Sequence, residues 1–178
     1  MTVRRVVTGS VGGKSKIISD GGTRRGKAFK NIPGQSSVLI WATSSAPSTP
    51  TDGTDVVTEN SNYVPQQPGE TRLMIVTFPP DSVMMSIDPV AGFQEFAEHL
   101  PDLASVMEPD SPGMHTTQTV DYGIVLEGEA WLELDDGKQV HLKPHDVVVQ
   151  NGTRHAWRNK SDKPVKMAFV LIGAQKKN

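Results

Sequence analysis

Two imidazoles and one carboxylate, His115, Asp121 and His155, lie within a single stretch of this chain. Groups of these types move protons near neutral pH or hold a divalent metal. The stretch opens Gly113-Met-His-Thr-Thr-Gln-Thr-Val-Asp-Tyr-Gly-Ile-Val-Leu-Glu-Gly128 and closes Gln150-Asn-Gly-Thr-Arg-His-Ala-Trp-Arg-Asn159. Strands must position these groups. Beyond Gly128, Ala130, Leu132 and Leu134 share one face while Trp131 and Glu133 share the other, which is the period of a strand. Asp135-Asp136-Gly137 predicts a hairpin turn, because Asp-Gly tolerates the positive φ angles that tight hairpins need. Val140 and Leu142 begin the next strand, Pro144-His145-Asp146 turns it, and Val147 to Val149 read as a buried run. The segment reads as a β-meander.

The spacing of these residues resembles that of the cupins, whose first motif runs G(X)5HXH(X)3-4E(X)6G and whose second runs G(X)5PXG(X)2H(X)3N. His115, Thr117, Asp121 and Gly128 fall on the first motif's His, His, Glu and Gly. Gly152, His155 and Asn159 fall on the second motif's Gly, His and Asn, with Gln150 in place of the usual Pro. The opening Gly of each motif is replaced, by Pro109 and by Pro144. The resemblance implies an all-β fold, a cupin β-barrel (double-stranded β-helix or jelly roll), here with a short inserted helix. In a metal-binding cupin three His and one Glu hold a divalent metal inside the barrel. Here Thr117 stands at the second His position and the shorter Asp121 at the Glu position.

Two chemistries stay open at these positions. As a metal set, His115, Asp121 and His155 offer the His-His-carboxylate arrangement that leaves coordination positions for substrate and water. A single Fe, Zn, Mn or Ni ion there implies a non-haem iron dioxygenase or a zinc- or manganese-assisted lyase. Without metal, the same groups form a polar cluster in an apolar barrel, where burial raises the Asp121 pKa and a nearby imidazolium lowers it. That cluster suits a lyase or isomerase working by acid/base chemistry: isomerase, cyclase, dehydratase or decarboxylase. Its substrate would be aromatic, polyketide-like or a keto acid. His115 and His155 then donate or accept protons, Asp121 pairs with one of them, Thr117 and Gln150 hold substrate oxygens, and Trp157 walls the pocket. A third reading is a cupin that binds a small ligand without turning it over, since the fold alone does not fix function.

The rest of the chain narrows the class. Its 178 residues, 36% hydrophobic, suffice for a single cupin domain over residues 1–178, with outer strands, a long loop and an inserted helix in 1–110 and both motifs in a core over 111–174. A net charge of −2 gives no electrostatic footprint for nucleic acid, and no basic amphipathic helix points to a membrane. The absence of cysteine removes disulfides and thiolate chemistry and fits a reducing compartment. No apolar segment has the length of a membrane span or the form of a secretory signal, so the expected location is cytoplasmic. The family resemblance implies N-terminal strands on an outer sheet and a homodimer.

In chain order, residues 3–8 and 15–19 read as strands about a glycine turn, and Gly21–Lys30 as a solvated basic loop. Val38–Ala42 reads as a strand. Thr43–Gly69 is a long polar loop with the potential to act as a lid, with Tyr63 as anchor or lid contact. Arg72–Phe78 is a strand stopped by Pro79-Pro80. Asp88-Pro89 opens a helix with Asp88 as N-cap, whose apolar stripe is Phe93, Phe96, Ala97 and Leu100. Leu103, Val106 and Met107 suggest one more helical turn. His99 is expected to face solvent and His141 to point outside the barrel. Lys166–Ile172 closes the barrel as a strand, followed by the frayed tail Gln175–Asn178.

Overall fold

A computed structural model describes residues 3–176, so the end of the expected frayed tail lies outside the described residues. The strands are β1 (Arg5–Val11), β2 (Lys14–Gly21), β3 (Gly26–Ala28), β4 (Ser36–Thr43) and β5 (Thr71–Phe78) before the helices. Three helices follow, α1 (Asp81–Met84), α2 (Pro89–His99) and α3 (Pro101–Ala104). The chain ends in β6 (Thr119–Glu127), β7 (Ala130–Glu133), β8 (Gln139–Leu142), β9 (Val147–Asn151), β10 (Ala156–Arg158) and β11 (Val165–Gly173). A six-stranded antiparallel sheet in the order β3-β4-β5-β11-β6-β9 and a three-stranded sheet β10-β7-β8 contribute to one core, while β1 and β2 pair apart as a hairpin.

Alternation drives this packing. In β11, Val165, Met167, Phe169 and Leu171 are buried and the intervening side chains half-buried, so the strand supplies a continuous inner stripe. Leu39, Met74, Val125 and Met167 from the large sheet meet Ala130, Leu132 and Leu142 from the small one. Gly128, which joins β6 to β7, has a φ of +78°, and a Cβ there would lie 2.7 Å from the Pro164 carbonyl oxygen. Glycine at this motif position therefore answers both a backbone and a space requirement.

Several expectations are corrected. Val147 to Val149 are not a buried run: β9 is the last strand of the large sheet, and Val147 and Val149 are 59% and 54% exposed. The segment Gly21–Lys30 is not merely a solvated loop. It contains β3, paired to β4, and Phe29 sits in the core. Arg25 donates from Nε to the Ser61 carbonyl at 3.2 Å and from a terminal nitrogen to that of His99 at 2.6 Å.

The long polar loop has no regular structure but does pack, with Val57, Tyr63 and Val64 buried. Tyr63 is an anchor: its hydroxyl donates to the Ser37 carbonyl at 3.3 Å, and the Arg25 guanidinium lies 5.0 Å from its ring centre. An Arg5–Asp55 ion pair and a bond from Arg72 to the Asn62 carbonyl tie down the rest.

Asp88 caps α2 as the sequence predicts, accepting from Val90 N at 2.9 Å and Ala91 N at 3.3 Å, with Pro89 at the first helical position. The buried face differs from the apolar stripe. Phe96 and Leu100 pack inward, Phe93 is 53% exposed, and Glu95 is buried because its carboxylate accepts from the backbone amides of Lys30 and Asn31. His99 is half-buried with its ring edge-on to Phe29 at 5.9 Å, not turned to solvent. His141 does point outward, stacked on Trp131 at 4.3 Å and bonded to Glu129 at 2.9 Å.

Candidate active site

A cavity of about 560 Å³ opens between the two sheets and the helical insertion, within the size range of sites for drug-sized ligands. Two pairs of backbone segments set its polar wall. β6 and β9 run antiparallel with Asp121 opposite Gln150. The residues preceding β6 and β10 form an isolated bridge in which His115 N donates to His155 O and His155 N to His115 O, both at 3.0 Å. This bridge brings the histidines of the two motifs side by side, with ring centres 4.3 Å apart.

The hydrogen bonds of each ring fix its tautomer. His115 Nδ1 lies 3.0 Å from the Gly113 carbonyl oxygen and His155 Nδ1 lies 2.9 Å from that of Thr153. A carbonyl oxygen only accepts, so both Nδ1 atoms carry the proton and both Nε2 atoms keep a lone pair. Burial pushes the His115 pKa down, and burial together with the neighbouring His115 takes His155 down to about 4. At neutral pH both rings are uncharged and act as acceptors at Nε2. Proton donation from that atom, one of the two roles expected of them, needs a second proton that the environment disfavours.

Asp121 follows the opposite course. Burial raises its carboxyl to about 6, against the downward pull of the Thr119 and Thr117 hydroxyls. Thr119 Oγ1 donates to Thr117 Oγ1 at 2.8 Å, so Thr117 belongs to this hydroxyl relay on the cavity wall. Asp121 is not hydrogen-bonded to either histidine, and its Oδ1 is buried without a partner. The expected His/Asp pair is replaced by a carboxyl among threonines and a separate imidazole pair. Gln150 presents its amide to the cavity, with Thr153 Oγ1 donating to its Oε1 at 2.9 Å.

Trp157 lines the cavity, edge-on to His155 at 5.6 Å and to Phe169 at 5.3 Å. Gly123 makes this wall possible, since a Cβ there would lie 3.2 Å from the Phe169 ring and 3.4 Å from that of Trp157. Asn159 fixes the strand end, donating to the carbonyls of Phe78 and Lys163 and accepting from Ser161. The sequence reading missed Thr119 and Gly123, although both follow from counting two residues either way from Asp121 along a strand. It also missed Met74, Leu103 and Met107, which reach the cavity from elements without a motif.

The donor set falls short of the metal site that the family resemblance implies. Among the described residues no three His, Asp or Glu side chains converge into a metal-binding group. His115 and His155 offer two Nε2 donors, and Thr117 replaces the third imidazole by a neutral hydroxyl. The residues present therefore do not complete the four-ligand cupin site.

Residues 105–172 match a family model described as Cupin domain. Together with the all-β barrel and its motif positions, this match identifies residues 105–172 as a cupin domain. It is 34% identical over 138 residues to phomopsin biosynthesis cluster protein C' of Diaporthe leptostromiformis, a match covering 77% of this chain and 60% of that protein. It is 39% identical over 80 residues to the cupin-domain-containing oxidoreductase srdB of Neurospora crassa, covering 42% of this chain and 41% of that one. The chain thus spans 60% or less of the length of these curated relatives. Among solved structures, an RmlC-like cupin family protein from Methanocaldococcus jannaschii aligns with a TM-score of 0.38 at 12% identity, covering 58% of this chain and 70% of that one. Among the described residues no helix is long and apolar enough to cross a membrane.

Proposed function

We propose that this chain is a small-molecule enzyme of secondary metabolism in which Asp121 transfers protons inside the barrel. The carrying observation is the position of Asp121: a carboxyl buried in the wall of an otherwise mostly apolar cavity, with one oxygen free and two uncharged imidazoles in the same cavity. A carboxyl raised to about 6 is ionised at neutral pH yet close enough to that pH to accept and return a proton efficiently. The relatives' names, a biosynthesis cluster protein and a cupin-domain-containing oxidoreductase, support a role in making small molecules.

The reaction this arrangement suits best is enolisation of a carbonyl compound with an aromatic or otherwise apolar body, in the isomerase or lyase group. The C–H bond beside the carbonyl breaks, its proton passes to an Asp121 oxygen and its electron pair enters the enolate. Where a C=C bond stands next to that carbon the pair spreads over a dienolate, and return of the proton to its γ carbon restores the Asp121 carboxylate and completes an isomerisation. The Nε2 lone pairs of His115 and His155 accept hydrogen bonds from substrate hydroxyls, and Trp157 and Phe169 hold the body of the substrate. With a mixture of small carbonyl compounds as substrates, Asp121→Asn should fold normally and lose about a hundredfold or more in kcat/KM. An unchanged rate removes Asp121 from the mechanism.

The oxidoreductase name of one relative favours a second reading, metal-dependent cupin chemistry with His115 and His155 as two ligands. Elemental mass spectrometry of protein purified without chelator, beside the double variant His115→Ala/His155→Ala, separates the two. Stoichiometric metal that is lost in the double variant supports the second reading.

A further inference from the structure

We infer that the cavity selects substrates whose head is neutral and carries a hydrogen-bond donor beside an acceptor, an N–H or O–H next to a C=O, held between Asp121 and Gln150. The inference rests on the reading of this cavity as a substrate site and adds the chemistry of what it takes. Two buried atoms carry it. Asp121 Oδ1 and Gln150 Nε2 are buried and without a hydrogen-bond partner, and their residues are only 7% and 5% exposed. Buried polar groups are almost always paired, so two orphans on directly opposed residues of neighbouring strands, both lining one cavity, call for a ligand that pairs them.

The polarity of each orphan is set by its other contacts. The Gln150 carbonyl oxygen is taken by the Thr153 hydroxyl, which turns Nε2 out as a donor. The Thr117 and Thr119 hydroxyls lie against the Asp121 carboxyl, and Oδ1 remains as a free acceptor. The two do not bond one another, so the gap between them is bridged only by a group that accepts from Nε2 and donates to Oδ1. An amide edge does this, as does a hydroxyl beside a carbonyl.

A carboxylate head does not fit. It has no donor for Oδ1 and places a second negative charge beside Asp121. The Arg or Lys side chain at the cavity wall, Arg158, is already engaged by Glu133 and the Pro112 carbonyl. The keto-acid class named among the expected substrates is therefore the one this head group disfavours, while Trp157, Phe169 and Met74 accommodate an aromatic or aliphatic body.

Calorimetric titration of the wild-type protein tests the inference without turnover. The probes are quinolin-2-one and 2-hydroxyindan-1-one, their methylated counterparts N-methylquinolin-2-one and 2-methoxyindan-1-one, and 2-naphthoate. At least one unmethylated probe should bind tenfold to a hundredfold more tightly than its methylated counterpart, the loss set by one buried hydrogen bond left unmade. Which one does so tells an amide edge from a hydroxy-ketone. 2-Naphthoate should bind least. Asp121→Leu should abolish the preference and Gln150→Leu should weaken both members of each pair, each variant being checked for a native melting profile. Equal binding of methylated and unmethylated probes, tightest binding of 2-naphthoate, or no binding by any probe overturns the inference. Probe selectivity with an unimpaired Asp121→Asn rate separates failure of the catalytic reading from failure of this one.

Discussion

Asp121 and His155 titrate in opposite senses over the same interval. The folded Asp121 carboxyl is raised from 3.8 to about 6, so the unfolded chain ionises first. Stability from this group is complete below about pH 4 and falls by about 3 kcal/mol as pH rises to 6. His155 is lowered from 6.5 to about 4, so its contribution is complete above pH 6.5 and falls by a similar amount as pH drops to 4. The two slopes nearly cancel in the wild type. Single variants should uncover them: Asp121→Asn should lose stability as pH falls from 6.5 to 4, and His155→Gln should lose it as pH rises from 4 to 6. Urea midpoints at several pH values measure both. The rate should follow Asp121 alone, with kcat/KM rising through about pH 6 to a plateau. His115, Asp121 and His155 were legible in the sequence because motif spacing fixes which positions face inward. Their protonation was not. It depends on the Gly113 and Thr153 carbonyls, which come from loop turns that no spacing rule describes, and on the burial of the Asp121 carboxyl beside Thr117 and Thr119.

β5, β7 and β11 were read as strands from the sequence, and in each of them more and less buried side chains alternate. β9 misled for a physical reason: a run of valines reads as a buried strand, and nothing in the run itself says that the strand lies at a sheet edge. The burial of Glu95 was not legible either. A charged residue on a helix reads as solvent-facing, and only the two amides of a distant turn make its burial favourable. Glu95→Ala should cost about 2 kcal/mol, read as a fall in Tm of about 5 °C. His145 holds a φ of +77° at the turn before β9. This left-handed backbone favours glycine, and His145→Gly should raise stability by about 1 kcal/mol in a urea titration.

For the molecule as a whole, the outer face of β6 and β9 is one exposed apolar surface. Tyr122 and Val149 are paired across these strands and 41% and 54% exposed, and β9 has no charged side chain or proline to blunt its edge. We propose that a second copy covers this face, since two identical edges can pair about a two-fold axis. Sedimentation should give a dimer for the wild type and a monomer of native circular dichroism for Val149→Asp. A monomeric wild type removes the proposal. The homodimer expected from the sequence is thereby tied to a particular strand.

The cavity also divides its walls between two kinds of element. Asp121 and Gln150 stand on strands locked into register and the two histidines on the backbone bridge beside them, while α1 to α3 contribute Met84, Phe96 and Leu103 to the wall, and Met84 and the following Met85 are 44% and 82% exposed. Methionine side chains adapt to many shapes, and an insertion between two strands can be exchanged without disturbing the register behind it. Descendants of such a chain can thus diverge in the molecules they admit while inheriting the same proton chemistry unchanged.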